Sequence, residues 1–212
     1  MSTIAVIDFE TTGVSPEQGA RATEVAIVLL EQGRVVDRFQ SLMNAGVRIP
    51  SFITQLTGIT NAMVAAAPPA EQVMGEARRF VGDAPMVAHN AAFDRKFWVA
   101  ELARAGLDAP QAFACTVLLS RRLIPQAPSH KLGSLISFLG LPPAGRAHRA
   151  LADAEMAASL LAHLQQQLQQ RWQLQADHVL LSTLQRCSKG AVAGWLAQQR
   201  AKASEETLRT AC

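Results

Sequence analysis

The chain has 212 residues, 49% hydrophobic and 17% charged, with a formal net charge of +3. That composition is the one expected of a soluble globular protein with a sizeable core, and no apolar run reaches the roughly 18–20 residues of a membrane span. The N-terminal stretch lacks the basic and apolar regions of a secretory leader, and the three scattered cysteines, Cys115, Cys187 and Cys212, are expected to be free thiols in a reducing cytoplasm.

Residues 4–10, IAVIDFE, open as a buried strand and then carry Asp8 and Glu10 one residue apart. Carboxylates in an apolar strand are costly unless compensated, and two of them repel each other. Residues 22–30 and 34–42 read as two strands joined by a turn at Gln32 and Gly33, the second alternating apolar and polar residues. With the first strand they predict an antiparallel meander. From about Ser51 short helical pieces are broken at Gly58. A longer helix starts after Pro68 and Pro69 and stops at Gly82. APMVAH is strand-like and leads into a helix on which Phe93, Phe97 and Leu102 recur at helical spacing. QAFACTVLLSRRL predicts a short strand feeding a helix, SHKLGSLISFLGL a helix closed by Gly140, and HRALADAEMAASLLAHLQQQLQQ a long amphipathic helix. Strands first, then strands alternating with helices, is an α/β pattern with a mixed sheet. After about Gln170 the chain turns polar and Gln-rich; two short helices broken at Lys189 and Gly190 follow, and the last ten residues are expected to fray. Basic and acidic residues balance over 1–170, so the positive surplus lies in the tail, which permits nucleic acid contact without demanding it.

Side chains at i and i+2 of a strand share a face, so Asp8 and Glu10 project together with Phe9 opposite. With no Lys or Arg in the stretch, a hard cation such as Mg²⁺ or Mn²⁺ would compensate them. A strand end open to solvent, or a distant Arg, is the other reading. Asp94 falls on the first turn of a helix, where an acid also serves the helix dipole. His148 and Asp153 fall at the start of the long helix, where His148 alone would read as a capping residue. Thr11, Thr12 and Gly13 follow the acids with small groups that let a ligand approach.

Three stretches, Asp8-x-Glu10-Thr11-Thr12-Gly13, His89-Asn90-Ala91-Ala92-Phe93-Asp94 and His148-Arg149-Ala150-Leu151-x-Asp153, occur in an order and spacing that resemble the exonuclease motifs of the DnaQ-like, or DEDDh, 3′-5′ exonucleases. The resemblance spans about residues 3–164 and runs to the exonuclease X branch, through ACTVLLSRRLIP, and to the proofreading subunits of bacterial replicative polymerases. It implies an α/β, ribonuclease-H-like fold, a five-stranded mixed β-sheet flanked by α-helices; the composition shift sets a boundary near Gln166–Gln175, so that residues 1–170 are read as this domain and 171–212 as a short C-terminal helical extension. It implies two Mg²⁺ (or Mn²⁺) held by Asp8, Glu10, Asp94 and Asp153, with His148 as general base. A sister subclass uses Tyr in that role, and this chain has no tyrosine.

By the same resemblance Thr11, and Thr12 with it, would sit beside the 3′-terminal nucleotide. Leu56 either wedges against the terminal base or packs within its helix. Phe93 either stacks on a base or fills the core. His89 and Asn90 either position phosphate or tie down the strand-to-helix turn. His163 and His178 read as surface; His130, Arg121, Arg122, Arg146 and Arg149 read as solvated groups within reach of a phosphate; Glu24 reads as an acid behind the site. The expected activity is hydrolysis of single-stranded DNA 3′ ends to nucleoside monophosphates in repair or proofreading, in the cytoplasm and with no membrane partner. RNA ends or short oligonucleotides are the alternative substrates. A different role is a polymerase- or repair-complex subunit docking through 171–212, where Val179, Leu180, Leu184, Trp195 and Leu196 either face a partner or pack back on the domain.

Overall fold

β1 (Ile4–Thr11) is buried along nearly its whole length, as the middle strand of a sheet must be. A computed structural model describes residues 3–146 and 148–210 of the protein, with backbone alone from 206 onward. β1 pairs antiparallel with β2 (Ala22–Glu31), and β2 antiparallel with β3 (Arg34–Leu42). The turn between these two strands places both Gln32 and Gly33 at positive φ, the geometry of a tight hairpin. On its other side β1 pairs parallel with β4 (Met86–Ala88), and β4 parallel with β5 (Phe113–Cys115). The result is the expected five-stranded mixed sheet, in the order β3-β2-β1-β4-β5.

Strand alternation divides the core in two. Ala5, Ile7 and Phe9 point to one face, where α3 (Ala70–Val81) and α4 (Ala91–Arg104) supply Met74, Phe97 and Trp98. Ile4 and Val6 point to the other, onto Leu160, Leu161 and Leu164 of α7 (Ala150–Trp172). Asp8 and Glu10 continue the Ile4–Val6 row and therefore emerge on the α7 face. Between β3 and α3 lie α1 (Ser51–Thr57) and α2 (Asn61–Ala65), separated at Gly58, whose φ is +76°. After β5 come α5 (Thr116–Leu123) and α6 (Leu132–Phe138).

The C-terminal segment differs from expectation. α7 runs past residue 170 and ends at Trp172, capped at Gln173. Beyond it, α8 (His178–Leu184) and α9 (Val192–Thr210) follow, and α9 is a long helix whose backbone stays helical to Thr210. Leu174, Leu181, Leu184, Val192 and Leu196 are buried in the same core as α7. Leu180 and Trp195 are partly buried against it, which leaves Val179, 73% exposed, as the outward member of the expected apolar face. The segment also covers the edge of the sheet. Gln185 accepts the Cys115 N–H at 2.7 Å and donates to the Phe113 carbonyl at 3.3 Å, replacing the next strand's hydrogen bonds. His178, expected at the surface, is 7% exposed and donates from Nε2 to the Met86 carbonyl at 2.9 Å. Cys115 and Cys187 are free thiols, and Cys212 lies outside the described residues. No helix among the described residues is long and apolar enough to cross a membrane.

Candidate active site

Three elements bring the acids together. β1 delivers Asp8 and Glu10, and the register of its pairing with β2 shifts between Glu10 and Thr11, directly after them. α7 delivers Asp153 from its first turn. The residue before this helix is Arg149, and before that His148 adopts φ +59°, a left-handed conformation costly for a side-chain-bearing residue. The His148 N–H donates to Asp153 Oδ2 at 2.9 Å, which fixes the bend and leaves the imidazole exposed on the groove. Glu10, His148 and Asp153 then offer ligand atoms that all lie within 4.8 Å of one another. α4 delivers Asp94, which is 2% exposed. Asn90, at φ +71°, reverses the chain between β4 and α4 and so lets Asp94 approach the end of β1, where the Phe9 amide donates to it.

The electrostatics of this cluster follow from burial and repulsion. Burial pushes Asp8 well above the usual carboxylate range, with Asp94, Asp153, Glu10 and Glu24 adding to it. Burial, then Asp153 and Glu24, push Glu10 up to about 7. Burial drives Asp94 to about 8, with Glu10 adding and the Phe9 amide opposing. Burial also raises Asp153, against the His148 N–H. Ionising four acids so placed is costly without a cation among them. Carboxylate oxygens are the hard ligands that suit Mg²⁺ or Mn²⁺, and Glu10 and Asp153 fit such an ion, with Asp8 beside them in the groove.

Glu24 is the acid that sequence reasoning undervalued. It is the direct cross-strand partner of Glu10 and is fully buried. Burial pushes it up, but hydrogen bonds from Arg149, Gln40 and the Ala150 amide outweigh this and hold it below its usual range. Arg149, expected in solvent, is thus engaged with Glu24. Arg122 is likewise engaged, donating to the Cys187 and Leu118 carbonyls at 2.8 Å each. A second buried acid, Glu101, pairs with Arg21 at 2.9 Å and so braces the loop that follows the first motif.

The acids open onto a groove of about 630 Å³. Asp8, Glu10, Asp153 and His148 line one side; Asp94 lies buried behind them. α1 also lines the groove, where Phe52 and Leu56, one helical turn apart, are 64% and 48% exposed, together with Arg48. Neither Arg48 nor Phe52 carried a sequence signal, because an Arg in a loop and a Phe on a short helix are ordinary. Thr11, Thr12 and Phe93 also line the groove. The Thr11 hydroxyl donates to the Gly13 carbonyl at 2.7 Å, the Thr12 hydroxyl accepts the Arg21 N–H at 3.0 Å, and Phe93 leans on Phe97 with ring centroids 5.0 Å apart. His89 and Asn90 are not among the lining residues. His89 turns the other way: Nε2 donates to the His130 carbonyl at 3.1 Å and Nδ1 meets the Thr116 hydroxyl at 2.9 Å. Burial pushes its pKa down to about 4. His89 therefore ties β4 to α5 and the His130 loop.

The family model for exonucleases of the RNase T type matches residues 5–161. The chain belongs to this exonuclease family. Its acids and His148 follow the DEDDh pattern of the DnaQ-like exonucleases. The 3′-5′ exonuclease DinG of Bacillus subtilis (strain 168) is 39% identical over 166 residues, covering 78% of this chain and 18% of DinG. The PolC-type DNA polymerase III of Halalkalibacterium halodurans is 36% identical over 161 residues, covering 76% of this chain and 11% of the polymerase. The chain thus spans less than a fifth of the length of either relative. Exonuclease X, solved in complex with 5′ overhanging duplex DNA, matches with a TM-score of 0.68 and 27% identity, over 86% of this chain and 99% of that one. The family's ribonuclease-H-like fold is the one built here around β1.

Proposed function

We propose that the protein is a metal-dependent 3′-5′ exonuclease that hydrolyses single-stranded DNA ends to nucleoside 5′-monophosphates. The observation that carries this reading is the convergence of Glu10, Asp153 and His148 beside Asp8 in a groove that α1 lines with Phe52 and Leu56. DNA is the favoured strand because exonuclease X was solved on DNA and another relative is a DNA polymerase.

Two divalent cations, Mg²⁺ or Mn²⁺, held by Asp8, Glu10, Asp94 and Asp153, would neutralise the scissile phosphate and acidify water at the site. Glu10 and Asp153, fixed on two rigid elements, orient that water against phosphorus. His148, anchored through its backbone yet free at its ring, takes the proton as the new P–O bond forms. The P–O3′ bond breaks, the 3′ oxygen leaves and gains a proton, and one nucleoside 5′-monophosphate departs. Phe52 and Leu56 offer stacking surfaces for the last bases, and Arg48 a charge for the backbone between them. Thr11 and Thr12 flank the 3′ end; the Thr11 hydroxyl proton is engaged by the Gly13 carbonyl, whereas the Thr12 hydroxyl, an acceptor from Arg21, keeps its proton to donate.

The test is a time course on 5′-labelled single-stranded DNA and RNA with Mg²⁺, beside Asp8→Ala. Stepwise shortening of DNA from the 3′ end, reduced to background in the variant, is expected. RNA shortened faster than DNA would replace the substrate, and intact DNA and RNA would end the exonuclease reading.

A further inference from the structure

We propose that Glu24 is a positioning residue that holds Arg149 away from Glu10 and so keeps the acids at the groove floor free for a divalent cation. The inference rests on the proposed exonuclease function only for what that cation serves.

Arg149 directly follows His148 and has two carboxylates to choose from. Glu10 and Glu24 are opposite each other on β1 and β2, an arrangement that brings Cβ atoms to about 5 Å. Arg149 is close enough to Glu10 for each to favour the other's charge. Yet its fork closes on Glu24, with Nε–Oε2 3.1 Å and Nη2–Oε1 2.8 Å. Paired donors on one carboxylate are the strongest form of this contact. Glu24 is further held by Gln40 Nε2 at 2.7 Å and by the Ala150 N–H at 3.1 Å. The last bond joins it to the first residue of α7, the helix that carries Asp153. Burying a charge pair seldom adds stability over an apolar pair, so stability alone does not account for a fifth acid here. Without Glu24 the guanidinium would turn to Glu10 and occupy, as an internal cation, the place of the metal.

A double-mutant cycle on the full chain tests this, with Mn²⁺ alone as the probe and calorimetry as the readout. Glu24→Gln is expected to weaken Mn²⁺ binding about 10–100-fold, the range for groups that orient metal ligands. Arg149→Met, which removes the competing cation, is expected to bind Mn²⁺ at least as tightly as the wild type. The double variant should return to within about twofold of wild type, the margin within which independent changes add. Unchanged binding in Glu24→Gln, or equal weakening in the single and double variants, would overturn the inference, since a merely structural Glu24 gives no rescue. If Glu24→Gln does not fold, Arg149→Met decides: undiminished binding supports the inference and a tenfold loss overturns it. Wild-type protein that binds Mn²⁺ but leaves DNA and RNA ends intact would end the exonuclease reading and leave this cycle readable. Wild-type protein that binds no Mn²⁺ overturns the inference.

Discussion

Glu10 and Asp94 keep their protons to about pH 7 and pH 8 because burial, and then neighbouring carboxylates, penalise their charged forms. In the unfolded chain they titrate near 4.5 and 3.8. Between those values and 7–8 the folded state binds more protons than the unfolded state, so stability falls as pH rises through that window. For Glu10 alone the shift corresponds to about 3 kcal/mol. Glu24 works in the opposite sense, but its window lies below its ordinary value of 4.5. In EDTA the urea midpoint is therefore expected to drop from pH 5.5 to pH 8.5, and saturating Mn²⁺ should remove most of that drop. A midpoint that rises with pH in EDTA would contradict the strain assigned to the acids. Asp8 and Glu10 could be read from the sequence because the two-residue strand period put them on one face. The Glu24–Arg149 and Arg21–Glu101 pairs could not. Their partners lie 125 and 80 residues apart, and nothing local to either residue marks the contact.

Elements with strong punctuation were equally plain: the Gln32-Gly33 hairpin, and α3 between Pro69 and Gly82. The three-residue strands β4 and β5 were recognisable only as short apolar runs before helices. The turn from β4 into α4 was harder, since HNAAFD leaves open whether its polar residues serve the substrate or the backbone. The structure gives Asn90 a backbone task, left-handed at φ +71° with no side-chain hydrogen bond to the helix it precedes. Asn tolerates that conformation, Gly adopts it freely, and other residues lose about 1–2 kcal/mol. Asn90→Gly is thus expected to keep stability within about 0.5 kcal/mol, with kcat and KM for oligonucleotide cleavage unchanged. Asn90→Val should lower the unfolding free energy by about 1–2 kcal/mol. A raised KM in a stable Asn90→Gly protein would return the side chain to the substrate.

Across the whole molecule, the motif resemblance stops near residue 164 and carries no information about the C-terminal segment, so the tail had to be read from composition alone. Its polar, Gln-rich start marked the expected boundary near residue 170. In the fold those glutamines are the polar face of α7 and the turn after it, and the leucines between and beyond them close the core. Leu174, Leu181, Leu184 and Leu196 are each no more than 4% exposed. Burying a leucine is worth about 1.5–3 kcal/mol, so losing four removes on the order of 6–12 kcal/mol. That is comparable to the roughly 5–15 kcal/mol by which a domain is stable. Truncation after Trp172 would also leave the β5 edge without Gln185 and the Met86 carbonyl without His178. The truncated chain is therefore expected to be insoluble, or to melt without a cooperative transition even with Mn²⁺, in differential scanning calorimetry beside the full chain. A soluble truncation with an unshifted, cooperative melt would instead make residues 173–212 an appendage free to dock elsewhere, and the apolar face from Val179 to Leu196 its docking surface.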